Sequence, residues 1–178
     1  LAEAQRNLLR RTRDQDDPAA TTAELAAIRE RLAERIARQK RLTDMTAGAP
    51  VSRLPAAKAL QDEAAEDVSA LTERLETLAG TPDGAAALKA AGAEPAVKRA
   101  GDALKTAGEE MARSGAHLER TERVEAVQRQ QQAASDLAEG AGAVEEALRR
   151  LGVGNGYAAL SREQEQLGRQ TAAMAEKA

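Results

Sequence analysis

Leu60, Ala64, Val68, Leu71, Leu75 and Leu78 follow one another at spacings of 4, 4, 3, 4 and 3. Alternating threes and fours place these residues on one stripe of an α-helix and match the heptad of helices packed side by side. A strand, with its period of two, cannot gather them. Further along, Val97, Leu104, Met111 and Leu118 recur at strict sevens. Beside them run Ala100-Gly101, Ala107-Gly108 and Ser114-Gly115, so that Gly101, Gly108 and Gly115 form a second line on the same helix. Each mid-helix glycine costs about 0.8–1 kcal/mol relative to alanine. A neighbouring helix approaching closely over the glycines would offset that cost, so the line is read as a close-packing stripe.

The rest of the chain offers little besides such seams. Its 178 residues include 43 Ala and 19 Leu but no Phe, Trp or Cys. Leu, Ile, Val and Phe together make about 16% of the chain, less than a compact core usually needs. The scarcity of β-branched and aromatic residues disfavours a β-sandwich, a barrel or a parallel-sheet enzyme. Charges nearly cancel, 26 basic against 29 acidic, so the chain reads as helix rather than as a disordered polyelectrolyte. The expected fold is all-α: an elongated antiparallel helical bundle of coiled-coil-like helices. No run approaches the roughly 18 apolar residues of a membrane span, and no signal segment opens the chain. Without cysteine there are no disulfides and no thiolate chemistry, which suits cytosol and cell envelope alike. Arg outnumbers Lys 20 to 6, a bias of GC-rich and hence bacterial genomes. A start at Leu1 and an end inside a helical pattern, Thr171 to Ala178, carry the expectation of a segment from a longer protein.

Punctuation divides the chain. Residues 1–15 read as a short or truncated helix with Leu1, Leu8 and Leu9 on one side. Asp17-Pro18 is an N-cap followed by proline at the first helical position. Leu25, Ile28, Leu32, Ile36, Leu42 and Met45 then mark a helix over about 18–46, closed by Ala47-Gly48-Ala49-Pro50. A second helix over about 53–79 completes a hairpin, and Thr81-Pro82 starts a short helix, 82–91, so that the unit spans 18–92. The segment 95–151 is one long helix or a kinked pair. Its phase changes near residue 121, after which Val124, Val127, Gln131, Ala134, Leu137 or Ala138, Ala141, Val144, Leu148 and Leu151 carry the apolar face. Gly140 and Gly142 are the candidate kinks. Gly152-Val153-Gly154-Asn155-Gly156 reads as a turn before a truncated C-terminal helix, 157–178, with Leu160, Leu167 and Met174 at sevens. Glu→Arg pairs four residues apart, such as 34/38, 125/129 and 146/150, support solvated helix faces.

Little in the chain invites chemistry. No catalytic, cofactor-binding or metal-binding residue stands out, and neither an enzyme nor a small-molecule ligand is expected. His117 is the only histidine. A metal would want a second ligand one turn away, where Arg113 and Thr121 stand, so His117 is read as solvent-facing. Gly152 to Tyr157 lacks both the GK[ST] of a phosphate loop and a preceding strand. Asp14, Asp16 and Asp17 lack the spacing of a calcium loop. Gln128, Gln130, Gln131 and Gln132 are expected on an exposed face, with a buried polar seam that sets register as the other reading. Arg31, Arg35, Arg38 and Arg41 form a basic face, offset by Glu30 and Glu34. That face supports a second reading, an amphipathic binder of anionic membrane or nucleic acid. A net charge of −3 and a single aromatic, Tyr157, argue against nucleic acid and leave a membrane surface as the lesser option. The first reading is a non-catalytic structural or interaction module. It would present Leu60, Val68, Leu71, Leu75 and Leu78, with Val97, Leu104, Met111 and Leu118, to protein partners: other helices of a parent chain or a second copy.

One stretch carries a likeness. Ala126 to Leu148, AVQRQQQAASDLAEGAGAVEEAL, resembles the long helical regions of large membrane-anchored bacterial cell-envelope proteins of unknown function. Gln131, Ala134, Leu137, Gly140, Ala141 and Val144 answer to that pattern, and Ala103-Leu104, Ala107, Met111-Ala112 and Leu118 to its preceding element. Ser135 and Val144 stand where the pattern usually has Leu. The resemblance covers about 50 residues and transfers no catalytic residue. It implies an envelope-facing, non-enzymatic helical region, and between envelope and cytoplasm it favours the envelope.

Overall fold

The computed structural model describes the backbone of residues 18–175 and the side chains of residues 19–152. The expected N-terminal helix, 1–15, and the last three residues lie outside these. Five helices follow in order: α1, Pro18–Gly48; α2, Leu54–Gly80, entered through a 3₁₀ turn, Val51–Arg53; α3, Pro82–Ala90; α4, Glu94–Glu119; and α5, Arg123–Ala175. There is no strand among the described residues.

Local chemistry sets the boundaries. Pro18, Pro55, Pro82 and Pro95 all fall in first turns, where a missing N–H costs nothing. Thr81 Oγ1 accepts the Gly84 N–H at 3.2 Å and caps α3. Gly92, at φ +63°, turns the chain out of α3, and the Ala93 N–H returns to the Leu88 carbonyl at 2.8 Å. Thr121 plays the same part after α4 at φ 62°, with the Glu122 N–H on the His117 carbonyl at 2.9 Å. The phase change near residue 121 is this turn.

The four long helices form a ring in the order α1, α2, α4, α5, each antiparallel to its neighbours. Named contacts fix the directions: Gln39 meets Gln61, Glu24 meets Arg74, Glu110 meets Arg129 and Arg99 meets Glu146. α3 lies across one end and touches all four. Buried positions repeat in threes and fours on every long helix. On α2 they are Leu54, Ala57, Gln61, Ala64, Val68, Leu71 and Leu75, and on α4 Val97, Ala100, Leu104, Ala107, Met111, Ser114 and Leu118. On α5 they are Ala126, Gln130, Ala133, Leu137, Gly140, Val144, Ala147 and Leu151. The main apolar cluster runs from Leu25, Leu88 and Leu151 to Met111 and Ala133; a smaller one at the far end holds Leu42, Leu54 and Leu118 with Ala49, Ala57 and Ala126.

Several expectations need correction. Leu60, read as a seam residue, is 37% exposed, and its neighbour Gln61 takes the core position. Leu78 is only partly buried. Before residue 137 the inward face of α5 departs from the expected one: Val124 is 62% exposed and Gln131 is exposed, while Ala126, Gln130 and Ala133 point in; from there Leu137, Val144 and Leu151 are buried as expected. The segment 95–151 divides at Arg120–Glu122 and not at Gly140, which is buried against Leu104 inside an unbroken helix. Residues 152–156 are helical too, so 157–175 continues α5 rather than forming a separate helix. Glycine keeps its N–H donor and costs a helix only about 1 kcal/mol, far less than proline. A helix propagating from both sides absorbs that cost.

Candidate functional site: a buried amide layer

At one level of the bundle every long helix turns its inward stripe polar. On α1 Gln39 stands between Leu32 and Leu42; on α2 Gln61 stands between Ala57 and Ala64. On α4 Ser114 stands between Met111 and Leu118, and on α5 Gln130 between Ala126 and Ala133. This level separates the two apolar clusters. Burying a primary amide is unfavourable unless its donors and acceptor are met. The layer meets most of them. Gln39 Nε2 donates to Gln61 Oε1 at 3.2 Å, and Gln61 Nε2 donates back to Gln39 Oε1 at 3.3 Å. Gln130 Nε2 donates to Gln61 Oε1 at 2.9 Å and to Thr46 Oγ1 at 3.2 Å. Ser114 Oγ donates to the Ala126 carbonyl at 3.2 Å, and Thr43 Oγ1 to the Gln39 carbonyl at 2.8 Å. Gln130 Oε1 is buried with no protein partner.

Beside the layer, the buried carboxylate of Glu110 receives Arg113 and, across the α4–α5 contact, Arg129 Nη1 at 3.0 Å. Asp136 is also buried; one oxygen accepts from Gln132 Nε2 at 2.9 Å and the other has no partner. Amides neither titrate nor attack as nucleophiles at ordinary pH, and the Ser114 hydroxyl is engaged by a backbone carbonyl. No group of three or more His, Cys, Asp or Glu side chains gathers among the described residues. The layer offers directional hydrogen bonding.

The other singled-out residues fall as follows. Val68, Leu71, Leu75, Val97, Leu104, Met111 and Leu118 are all buried within the bundle itself. Of the three stripe glycines, Gly115 alone meets a close neighbour, Asp62 of α2, whose Oδ1 would lie 2.9 Å from an added Cβ. A Cβ on Gly101 would reach only Leu75 Cδ2, at 4.0 Å, and one on Gly108 would meet nothing. Both face open grooves between α2 and α4, of about 490 and 330 Å³, which share Lys105.

Half of the basic face is engaged by α2. Arg35 pairs with Asp67 at 2.6 Å, and Arg38 with Glu63 at 2.7 Å and Asp67 at 3.3 Å; Arg31 and Arg41 are exposed. His117 is not simply solvent-facing: its Nδ1 lies 2.6 Å from Glu122 Oε2, across the turn that ends α4. Elsewhere on the surface, Arg150 and Arg99 hydrogen-bond the Glu146 carboxylate and hold it below its ordinary pKa. Asp62 raises the Lys58 ammonium in the same way.

The buried glutamines escape a hydropathy reading because each is polar at a position of the inward stripe, and Gln39 and Gln130 have polar or charged neighbours on both sides. The three-four spacing from Ala57 through Gln61 to Ala64 was one sign, and the polar run at Gln128, Gln130, Gln131 and Gln132, with a buried seam as its other reading, was a second. No protein-family model matches this sequence, and no curated protein or solved structure has detectable similarity to it.

Proposed function

We propose that this chain is a non-catalytic structural and interaction module, a helical bundle with coiled-coil-like seams. The observation that carries the reading is that its seams are closed among its own helices while the one layered polar cluster among the described residues is made of amides and hydroxyls. Partners, whether other helices of a parent chain or a second copy, would then meet the outer faces rather than the Leu71–Leu75 and Val97–Leu118 seams. No described helix is long and apolar enough to cross a membrane. The resemblance over residues 103–148 supports a role in a bacterial cell envelope over one in the cytoplasm.

A thermal melt followed by circular dichroism, with and without EDTA, tests this. The expected result is one cooperative loss of helix, unchanged by chelation. A gradual melt, or helix lost on chelation, would overturn it. The basic-face reading is weakened by the pairing of Arg35 and Arg38 with Glu63 and Asp67. Co-sedimentation with phosphatidylserine vesicles or DNA at low salt, abolished by high salt, would reinstate it.

A further inference from the structure

The bundle is two hairpins, α1–α2 and α4–α5, tied covalently only through α3. Every interhelical ion pair named among the described residues stays within one hairpin: Arg35–Asp67, Arg38–Glu63 and Arg74–Glu24 in the first, Arg99–Glu146 and Arg129–Glu110 in the second. His117–Glu122 likewise joins α4 to the turn after it. Apolar packing between the hairpins discriminates poorly, because so many of its knobs are alanine: Ala57, Ala64, Ala100, Ala107, Ala126, Ala133 and Ala147. A slide of one hairpin along the other by a heptad, about 10.5 Å, would again set small knobs against small knobs. The buried polar bonds that cross are those of Gln130, to Gln61 and to Thr46. At the surface Arg123 Nη1 donates to the Ala49 carbonyl at 3.0 Å.

We propose that the glutamine layer is the register lock between the two hairpins. In the slid arrangement Leu137 and Ala107 would come to the level of Gln39 and Gln61. Gln130 would pass into the leucine cluster of the far end and lose both partners. A buried amide that loses both of its partners lowers the population of such a state by roughly 100-fold. The layer therefore selects one seating among several that alanine packing leaves nearly equivalent.

The natural absence of cysteine makes the test direct. Asp62 lies against Gly115 in the observed seating, so Asp62→Cys with Gly115→Cys reports it. Sliding by a heptad brings position 62 to Gly108, where an added side chain meets nothing, so Asp62→Cys with Gly108→Cys reports the slid state. In the otherwise unaltered chain, only the 62/115 pair should oxidise quickly, with 62/108 slower by about 100-fold or more. In a Gln39→Leu/Gln61→Leu/Gln130→Leu background that retains its helicity, the two rates should approach within about tenfold. If 62/108 stays as slow there as in the parent, apolar packing alone sets the register and the proposal fails. Should the triple variant lose helicity, Gln130→Met, nearly isosteric, decides by the same pair of rates.

Discussion

Glycine tests the packing residue by residue, because an added methyl either meets a neighbour or does not. At Gly108 it meets nothing, so Gly108→Ala should raise stability by about 0.8–1 kcal/mol, the helix-propensity difference, seen as a higher urea midpoint. At Gly140 the methyl would lie 3.2 Å from Leu104 Cδ2 and 3.4 Å from its Cγ, in a closely packed α4–α5 contact. Gly140→Ala should therefore lower the midpoint despite the same propensity gain. Thr121, at φ 62°, occupies a conformation that costs a side chain roughly 1 kcal/mol, and Thr121→Gly should recover part of it in the same measurement. In sequence, sevens join Gly101, Gly108 and Gly115 as equals. The structure uses Gly115 closely and adds Gly140, the candidate kink, which packs against Leu104.

At the scale of the element, helix ends were legible and helix faces less so. Proline and glycine act locally, so the starts near 18, 53 and 82 could be read from single residues, whereas the break at 120–122, which holds neither, showed only as a change of phase. Which face of α5 turns inward depends on what it packs against. Alanine lies on both faces of this helix, and apolar character cannot tell Ala133 from Ala134; only the close fit to α4 does. The α4–α5 contact also carries a titration. Because Glu146 is held below its ordinary value by Arg150 and Arg99, its pairing stabilises the fold above the usual carboxylate range, near 4.3, and that contribution is lost as pH falls through its lower folded value. The difference in urea midpoint between the parent and Glu146→Gln should be constant from neutral pH to about 5, shrink below that and then vanish. A difference that does not change with pH would assign the pair no ionic role.

For the whole molecule, the all-α bundle could be read from the seams, because three-four spacing admits no other architecture for so alanine-rich a chain. The polar layer could not, since it exists only where four helices meet. Leu71 and Leu75, on α2 and nearly fully enclosed, serve the main cluster. Leu71→Asp with Leu75→Asp should abolish cooperative unfolding in a thermal melt, since a buried unpaired carboxylate has no counter-charge there.

The amide layer also divides the molecule in time. Beyond it the far-end cluster holds three leucines and three alanines, and this small store of buried surface, with the Arg123–Ala49 and Glu122–His117 hydrogen bonds, keeps the 49–53 connection and the 120–122 turn in place. Amide hydrogens on that side should exchange with solvent through local opening, while those around Leu75, Leu104 and Val144 wait for global unfolding. The boundary in protection should fall at Gln39, Gln61, Ser114 and Gln130, so that the bundle opens from its connected end as a unit, on a faster clock than the rest.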